Sequence, residues 1–226
     1  MNILLLRLSL YLKAFLRPHA KIYFILKIDH FSSILDVGCG NNSPLITKLL
    51  KPQCYYTGID IHDYNQASIN CADEYIIFKK ESFHNGISTL PLKYDIVICN
   101  HNIEHVNNRK KTLISIFSKI KDNGQIYLAF PSKKTINLPS RKPILNYFDD
   151  DTHKGKPPDF FYLIKLLKKN NFEIIYSTEN YQPFFLYFIG FLLEPISRIL
   201  NRNLLGTWVY HGFESIIIAK KVIKIK

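Results

Sequence analysis

The sequence lacks an apolar run long enough to cross a lipid bilayer. The two most apolar stretches, 3–16 and 184–193, are shorter than the roughly 20 residues that a membrane-spanning helix needs. The first stretch also lacks the charged leader and the small-residue cleavage site of a secretory signal. We therefore predict a cytoplasmic protein, with association at a membrane surface left open.

The sequence also lacks the cysteine spacing of a disulfide framework, a redox motif or a zinc site. Its cysteines, Cys39, Cys54, Cys71 and Cys99, form no C-x-x-C pair and favour reduced thiols. The acidic cluster at 149–153 ends in a histidine, but adjacent carboxylates do not all point one way. We interpret it as a turn or a helix cap and assign no metal ligand.

Acidic residues are scarce, with 18 Asp and Glu against 30 Lys and Arg and a net charge of +12. Such an excess is compatible with nucleic acid, an anionic membrane or an acidic substrate. The basic residues are scattered in pairs and triples rather than in one long run, which makes nucleic acid the less favoured partner. The length favours one domain, 31–226, preceded by an amphipathic helical segment, 1–30.

One stretch combines a strand, a glycine turn and a helix start. The apolar run at 33–37 predicts a short buried strand, and Gly38 and Gly40 behind it predict a tight turn that a ligand can approach closely. The polar residues 41–43 are suited to cap a helix, and Pro44 suits its first turn. This order is typical of a nucleotide-cofactor site at the end of a parallel strand.

Two acids indicate which cofactor binds there. Asp36 lies inside the strand end, where a carboxylate is costly without a cationic partner such as a cofactor amine. Asp60 ends the next strand, where a carboxylate can bind a ribose diol. An NAD site would favour a third glycine at Ser43 and would not need Asp36. S-adenosylmethionine therefore fits better than NAD.

Three segments resemble, in order and spacing, the cofactor motifs of class I S-adenosylmethionine-dependent methyltransferases of type 11 and type 23. They are 35–40, 58–61 and 95–106, and the resemblance extends over about 32–180 and the last strand. It implies an α/β fold, a doubly wound Rossmann-like seven-stranded sheet with an antiparallel last strand.

The resemblance implies site residues as well. Asp36 and the two glycines would hold the aminoacyl part of the cofactor, Asp60 the ribose, and Ile61 with Ser82 the adenine. The complete set of implied cofactor-binding residues is Asp36, Gly38, Cys39, Gly40, Asp60, Ile61, Glu81, Ser82 and Asn100.

Histidines are the candidates for acceptor chemistry, since histidine is suited to be a base near neutral pH. We predict His105, in the third motif, and His153, in a later loop, as catalytic residues, and His101 is a further candidate. An orienting, structural role for His105 stays open. Arg141 and His153 are candidates to recognise an acidic or sugar substrate.

The remaining pattern alternates strands with helices, which predicts a doubly wound sheet. We predict strands at 54–59, 75–78, 94–99, 125–130, 172–176 and 214–220, and helices at 43–51, 107–121 (stopped by Asn123 and Gly124) and 157–170. The connections 131–156 and 181–212 are predicted as substrate or lid insertions. Within the second, the apolar run is expected to stop at Glu194 and Pro195.

The predicted function is methyl transfer from S-adenosylmethionine to a small-molecule, glycan or lipid-linked acceptor, at an oxygen atom. The alternatives are an RNA methyltransferase and a non-catalytic, membrane-associated cofactor-binding module. The apolar segments 1–17 and 183–200 suit a lid, a homodimer face or a peripheral membrane contact. The sequence leaves the acceptor open, because this fold builds its substrate pocket from variable loops.

Overall fold

A computed structural model describes residues 3–63 and 71–223, and the described chain is organised around a seven-stranded sheet. The strands are β1 Ser33–Val37, β2 Tyr55–Asp60, β3 Glu74–Ile77, β4 Tyr94–Asn100, β5 Ile120–Pro131, β6 Phe172–Thr178 and β7 Glu214–Lys221. Their order is β3-β2-β1-β4-β5-β7-β6, and β7 runs antiparallel to both of its neighbours. The predicted doubly wound sheet with an antiparallel last strand is confirmed.

Helices cover both faces of the sheet. They are α1 Ile3–Leu16, α2 Lys21–Lys27, α3 Ser43–Leu50, α4 Phe83–Thr89, α5 Arg109–Ser118, α6 Phe160–Lys169, α7 Phe184–Ile199 and α8 Thr207–Tyr210. Apolar side chains of α4, α5 and α6 form one core layer, and those of α1, α2 and α3 belong to the other. Successive side chains of a strand point to opposite faces, so Ile34 joins one layer and Leu35 the other.

The strand order places the predicted motifs together. Strand β1 lies between β2 and β4, and the chain winds outward from it in both directions. Open α/β sheets bind ligands in the crevice at such a reversal of strand order, outside the carboxyl ends of the strands. Gly38 follows β1, while Asp60 and Asn100 end β2 and β4. These three residues therefore meet at one edge of the sheet.

The predicted helix 107–121 was too long. Helix α5 ends at Ser118, and Ile120 already pairs with Tyr94 at the start of β4. Ile120 is fully buried, so its apolar character fits the core from a strand as well as from a helix. Asn123, predicted as the helix stop, instead adopts a φ of 63° within β5. Pairing with β4 therefore overrides the helical pattern.

The apolar run 184–193 lies within one helix, which extends past the predicted end of that run. Helix α7 continues through Glu194 and Pro195 to Ile199, over 16 residues. A proline inside a helix removes one backbone hydrogen bond but does not always end the helix. Within 3–63 and 71–223, no helix is both long enough and apolar enough to cross a membrane.

A buried ion pair joins the two predicted insertions. The Arg141 guanidinium, in the 131–156 connection, donates to both carboxylate oxygens of Glu194 on α7, at 2.8 Å each. Arg198 donates to the same carboxylate at 2.9 Å. Burial opposes ionisation of Glu194, but the two guanidinium groups lower its pKa to about 2. Both terminal nitrogens of Arg141 thus bind Glu194, and recognition of a substrate by Arg141 stays a prediction.

We expect the substitution Glu194→Gln to lower the free energy of unfolding by about 3 kcal/mol at neutral pH, because it removes one partner of a buried ion pair. The folded-state pKa lies below the ordinary value of 4.5, so the stabilisation is complete above that pH. It is lost as the pH falls toward about 2. Urea unfolding of both proteins at neutral and acidic pH measures the difference.

Glu173→Gln is the matched control, because Glu173 is exposed on β6. It should change the free energy of unfolding by no more than about 0.5 kcal/mol. Equal losses in the two variants, or a Glu194 effect that grows on acidification, would contradict the ion-pair account.

Candidate active site

The turn after β1 requires glycine for two reasons. Gly38 and Gly40 adopt φ values of 70° and 59°, in the left-handed region that favours glycine. A Cβ atom on Gly38 would also lie 2.1 Å from Nδ2 of Asn102, whereas nothing lies within 4 Å of a Cβ on Gly40. The backbone is therefore tightly packed at the first glycine and borders open space at the second.

The Asp60 carboxylate stabilises this turn. Its Oδ2 accepts a hydrogen bond from the Gly40 amide and its Oδ1 one from the Ile61 amide, both at 2.8 Å. Burial raises the pKa of Asp60. Each carboxylate oxygen retains a further lone pair, so the pair of hydrogen bonds predicted for a ribose diol is compatible with the turn.

Asp36 is fully buried and has a cationic partner from the protein itself. Its Oδ2 accepts hydrogen bonds from Lys21 Nζ and the Tyr56 hydroxyl, each at 2.9 Å, and from the Ser43 hydroxyl. Its Oδ1 is buried without a hydrogen-bond partner among the described residues. Lys21 thus supplies the cationic partner that the buried carboxylate needs. The sequence pattern did not identify this residue.

The predicted capping of α3 differs from the structure. Asn42 occupies the position before the helix but makes no capping hydrogen bond with its side chain. Ser43, the other candidate, directs its hydroxyl to Asp36 instead. Pro44 lies in the first turn as predicted. The Ser43 hydroxyl therefore donates its hydrogen bond to the buried Asp36 carboxylate and does not cap the helix.

A cavity of about 410 Å³ lies beside the turn. Near the glycine turn it is lined by Cys39, Asn42, Ser43 and Asn100, which include two of the predicted cofactor residues. Its remaining walls come from distant parts of the chain: Lys13, Arg17, Lys21, His101, Tyr127, Tyr181, Trp208, Val209, Phe213 and Glu214. We call the part of this cavity that these residues line the second chamber.

His101, on the wall of this chamber, contacts two buried carboxylates, those of Glu214 and Glu104. Its Nε2 lies 2.9 Å from Glu214 and its Nδ1 lies 3.2 Å from Glu104. Burial alone would lower the pKa of His101, but the two carboxylates raise it to about 10. Arg17 donates to the second oxygen of Glu214 at 2.7 Å and helps to keep the pKa of Glu214 below its usual value. His101, Glu214 and Arg17 are therefore charged at neutral pH.

The predicted catalytic histidines lie together but outside the cavity lining. The rings of His105 and His153 are 4.8 Å apart. The Thr152 hydroxyl donates to Asp150 and so accepts from His105 Nδ1 at 2.8 Å. Burial lowers the pKa of His105, so its ring is neutral at neutral pH, as a base requires. The catalytic role of both histidines stays a prediction.

Glu104 lies beside this pair and brings potential metal ligands together, although the sequence pattern led us to assign none. A carboxylate oxygen of Glu104 and ring nitrogens of His105 and His153 lie within 4.8 Å of one another. Glu104 is fully buried. This cluster lies next to His101 through the contact between Glu104 and that ring.

The predicted adenine-side residues lie at the ends of the neighbouring strands. Ile61 follows β2 and packs against the core, while Glu81 and Ser82 belong to a short 3₁₀ helix, Lys80–Ser82, after β3. None of the three lines the cavity. Their contact with the adenine stays a prediction.

Residues 9–177 match the family model of a methyltransferase domain, which is three quarters of the chain. The chain belongs to this methyltransferase family. The described fold and the glycine turn agree with that membership. The buried Asp36 oxygen, the open space beside Gly40 and the Asp60 carboxylate fit S-adenosylmethionine, the cofactor of this class of methyltransferase.

Two curated relatives match part of this chain. An uncharacterised protein of Methanocaldococcus jannaschii is 31% identical over 108 residues, which are 46% of this chain and 30% of that protein. The mitochondrial ubiquinone biosynthesis O-methyltransferase of Schizosaccharomyces pombe is 29% identical over 108 residues, 44% of this chain and 38% of that enzyme. The match therefore spans about a third of the length of these relatives.

Solved structures show the same fold over most of the chain. An S-adenosylmethionine-dependent methyltransferase from Archaeoglobus fulgidus has a TM-score of 0.56 at 22% identity, and the match covers 88% of this chain and 90% of that one. At this identity the likeness establishes the fold. It agrees with the seven-stranded sheet described above.

We expect Gly38→Ala to weaken binding of S-adenosylmethionine by more than about tenfold, because the new methyl group collides with Asn102 and distorts the turn. Calorimetric titration of the variant measures the affinity. Gly155→Ala is the matched control: Gly155 has a φ of 62° and open space around it, and it does not line the cavity. Unchanged affinity in Gly38→Ala, or an equal loss in both variants, would contradict the assigned turn.

Proposed function

We propose that this methyltransferase transfers a methyl group from S-adenosylmethionine to a hydroxyl of a small-molecule, sugar or lipid-linked acceptor that carries an acidic group. The observation that carries the proposal is the composition of the cavity wall. Part of this wall borders the glycine turn, and the rest carries basic and aromatic side chains.

The charges of the second chamber favour an acidic acceptor. Lys13, Arg17, Lys21 and His101 all reach its walls. Three of them have carboxylate partners, whereas Lys13 has no ion-pair partner among the described residues. A phosphate or carboxylate on the acceptor would supply one.

The aromatic wall favours an acceptor with a flat, partly apolar face. The rings of Trp208 and Phe213 stack at 4.8 Å between centroids, and Phe213 lies 6.2 Å from the His101 ring. Tyr181 completes this wall. Such side chains bury the apolar face of a sugar or ring while polar groups fix its orientation.

The cofactor, when bound, supplies an electrophilic methyl group on a sulfonium. Asp36, the glycine turn and Asp60 would hold the cofactor and fix its orientation. The remaining task of the chain is to position the acceptor oxygen, since displacement at the methyl requires a close and aligned approach. The rigid walls described above perform this positioning.

Glu214 is the group best placed to receive the acceptor hydroxyl. Its carboxylate lines the cavity and accepts hydrogen bonds from Arg17 and His101. His101 is protonated, so it donates hydrogen bonds and cannot serve as the base. Glu214 would accept a hydrogen bond from the hydroxyl, stabilise the positive charge that develops on the oxygen as it is alkylated, and take up the hydroxyl proton.

Oxygen as the acceptor atom is supported by one relative. The Schizosaccharomyces pombe enzyme is a ubiquinone biosynthesis O-methyltransferase, and its match to this chain is partial. A carboxylate in the acceptor chamber suits a hydroxyl, which donates a hydrogen bond to it.

Methyl-labelled S-adenosylmethionine tests the function. The protein is incubated with sugar phosphates, sugar acids, lipid-linked sugars, their neutral analogues and RNA, and the labelled product is identified by mass spectrometry. We expect label on a hydroxyl of an acidic acceptor. Label on RNA alone, or on nitrogen or carbon acceptors alone, would contradict the proposal.

Lys13→Met should raise KM for the acidic acceptor by about threefold, because Lys13 is exposed and an ion pair of an exposed side chain contributes less than about 1 kcal/mol. It should leave KM for the neutral analogue unchanged. Steady-state kinetics with both acceptors measure the difference. Lys27→Met, on α2 and outside the cavity, is the control. Equal effects on the acidic and neutral acceptors would contradict recognition by charge.

Glu214→Gln should lower kcat by about a hundredfold or more while the affinity for S-adenosylmethionine changes little. A loss of folding is excluded by comparing circular dichroism of the variant and the wild type. His105→Ala is the competing variant, since His105 is the base predicted from the sequence. A larger loss of kcat in His105→Ala than in Glu214→Gln would indicate that the histidine pair, and not Glu214, acts on the acceptor hydroxyl.

A further inference from the structure

Helix α7 exposes most of its large apolar side chains and buries the polar residues Glu194 and Ser197. Its buried positions, Leu186, Gly190, Glu194 and Ser197, form a narrow stripe with a carboxylate and a hydroxyl in it. The large apolar side chains on its other faces are mostly exposed: Phe184, Phe185, Tyr187, Phe188, Phe191, Leu192, Ile196 and Ile199. A helix in contact with water has the opposite distribution.

Helix α1 also exposes most of its apolar side chains. It buries only Leu10 and Ala14. Its exposed apolar side chains are Ile3, Leu4, Leu5, Leu8, Tyr11, Leu12 and Phe15, each more than half exposed. The helix is therefore attached to the protein by a narrow stripe and presents most of its apolar surface outward.

The two apolar faces meet. The rings of Phe15 and Phe185 stack with centroids 6.3 Å apart, and these side chains are still 69% and 57% exposed. We call the exposed apolar side chains of α1 and α7 together the apolar face. Exposed apolar patches of this extent mark interaction sites.

The charges around the apolar face are of one sign. In helices α1, α2, α7 and α8 with their connecting residues, 3–27 and 184–210, the one acidic residue is Glu194. Glu194 is buried and paired with Arg141. The basic residues of the same segments are Arg7, Lys13, Arg17, Lys21, Lys27, Arg198 and Arg202. Every exposed full charge carried by these helices is therefore positive.

We propose that the apolar face docks on an anionic lipid bilayer, with α1 and α7 lying in the headgroup region. Helices that lie in this region bury an apolar face at the boundary of the acyl chains and place basic residues near anionic headgroups. Helices of 14 and 16 residues suit this orientation, since neither is long enough to span.

A second copy of the chain fits this face less well than a bilayer does. A two-fold symmetric dimer places the same surface patch on both sides of its interface. The exposed charges near the apolar face would then meet charges of the same sign, for example Arg7 and Arg198 on both protomers. Anionic headgroups offer the opposite charge.

Docking also brings the cavity to the bilayer. Lys13 and Arg17, on and just after α1, line the cavity, as does Trp208 on α8. The following step alone rests on the proposed function. The acceptor is an amphiphile whose polar part enters the cavity while its apolar part stays in the bilayer.

Vesicle flotation of the full chain tests docking. The probes are phosphatidylcholine vesicles with phosphatidylglycerol and phosphatidylcholine vesicles alone. The docking variant combines Leu8→Gln, Leu12→Gln, Phe185→Gln and Phe188→Gln. The matched control combines Phe31→Gln, Ile77→Gln, Phe161→Gln and Ile175→Gln, which are also more than half exposed but lie on other elements.

We expect wild type and control to float with the anionic vesicles, and the docking variant to bind them at least about tenfold more weakly. Binding of the wild type should also be weaker to the neutral vesicles. A wild type that floats with neither vesicle, or equal losses in both variants, would overturn the proposal. A dimer in light scattering that only the docking variant dissociates, without flotation, would assign the face to a second copy.

Titration with S-adenosylmethionine separates this proposal from the function. The docking variant should retain the wild-type affinity, because its four positions lie outside the cavity lining. Flotation of a wild type that does not bind the cofactor would uphold docking and contradict the proposed function. Cofactor binding without flotation would do the reverse.

Discussion

The ion pair between Lys21 and Asp36 is the interaction on which the cofactor end of the site depends. A buried carboxylate is strongly destabilising without a partner, and the amine of α2 supplies one at 2.9 Å. The pair attaches the N-terminal helices to the end of β1, directly before the glycine turn. The second ion pair, between Arg17 and Glu214, attaches the same helices to β7 at 2.7 Å. The N-terminal helices thus form a wall of the site.

The N-terminal helices direct basic side chains to the cavity and apolar side chains to the outer surface of the protein. Their basic residues Lys13, Arg17 and Lys21 reach the cavity, whereas most of their leucines face outward. Helix α7 completes the outward face, and the segment after it supplies Trp208 and Phe213 to the cavity. These two chain segments therefore contribute both to the wall of the cavity and to the apolar face, which connects the acceptor site we propose to the surface where we propose docking.

Local sequence was sufficient to bring part of the candidate cofactor site together and insufficient for the rest of the site. The meeting of Gly38 and Asp60 at one edge of the sheet could be predicted, because it follows from a strand, its turn and the end of the next strand. Their contact with the cofactor stays a prediction. Lys21 and Glu214 could not be predicted, since only the folded sheet brings α2 and β7 to that edge. Ile120 was predicted in a helix from its local pattern, and pairing with β4 outweighed that preference.

Calorimetric titration of the wild-type protein with S-adenosylmethionine, and with NAD in parallel, tests the central claim most directly. The claim is that the glycine turn, with Asp36 and Asp60, forms the cofactor site of a methyltransferase. The account predicts saturable binding of S-adenosylmethionine at one site and no binding of NAD. Binding of NAD alone, or of neither compound by the folded protein, would contradict it.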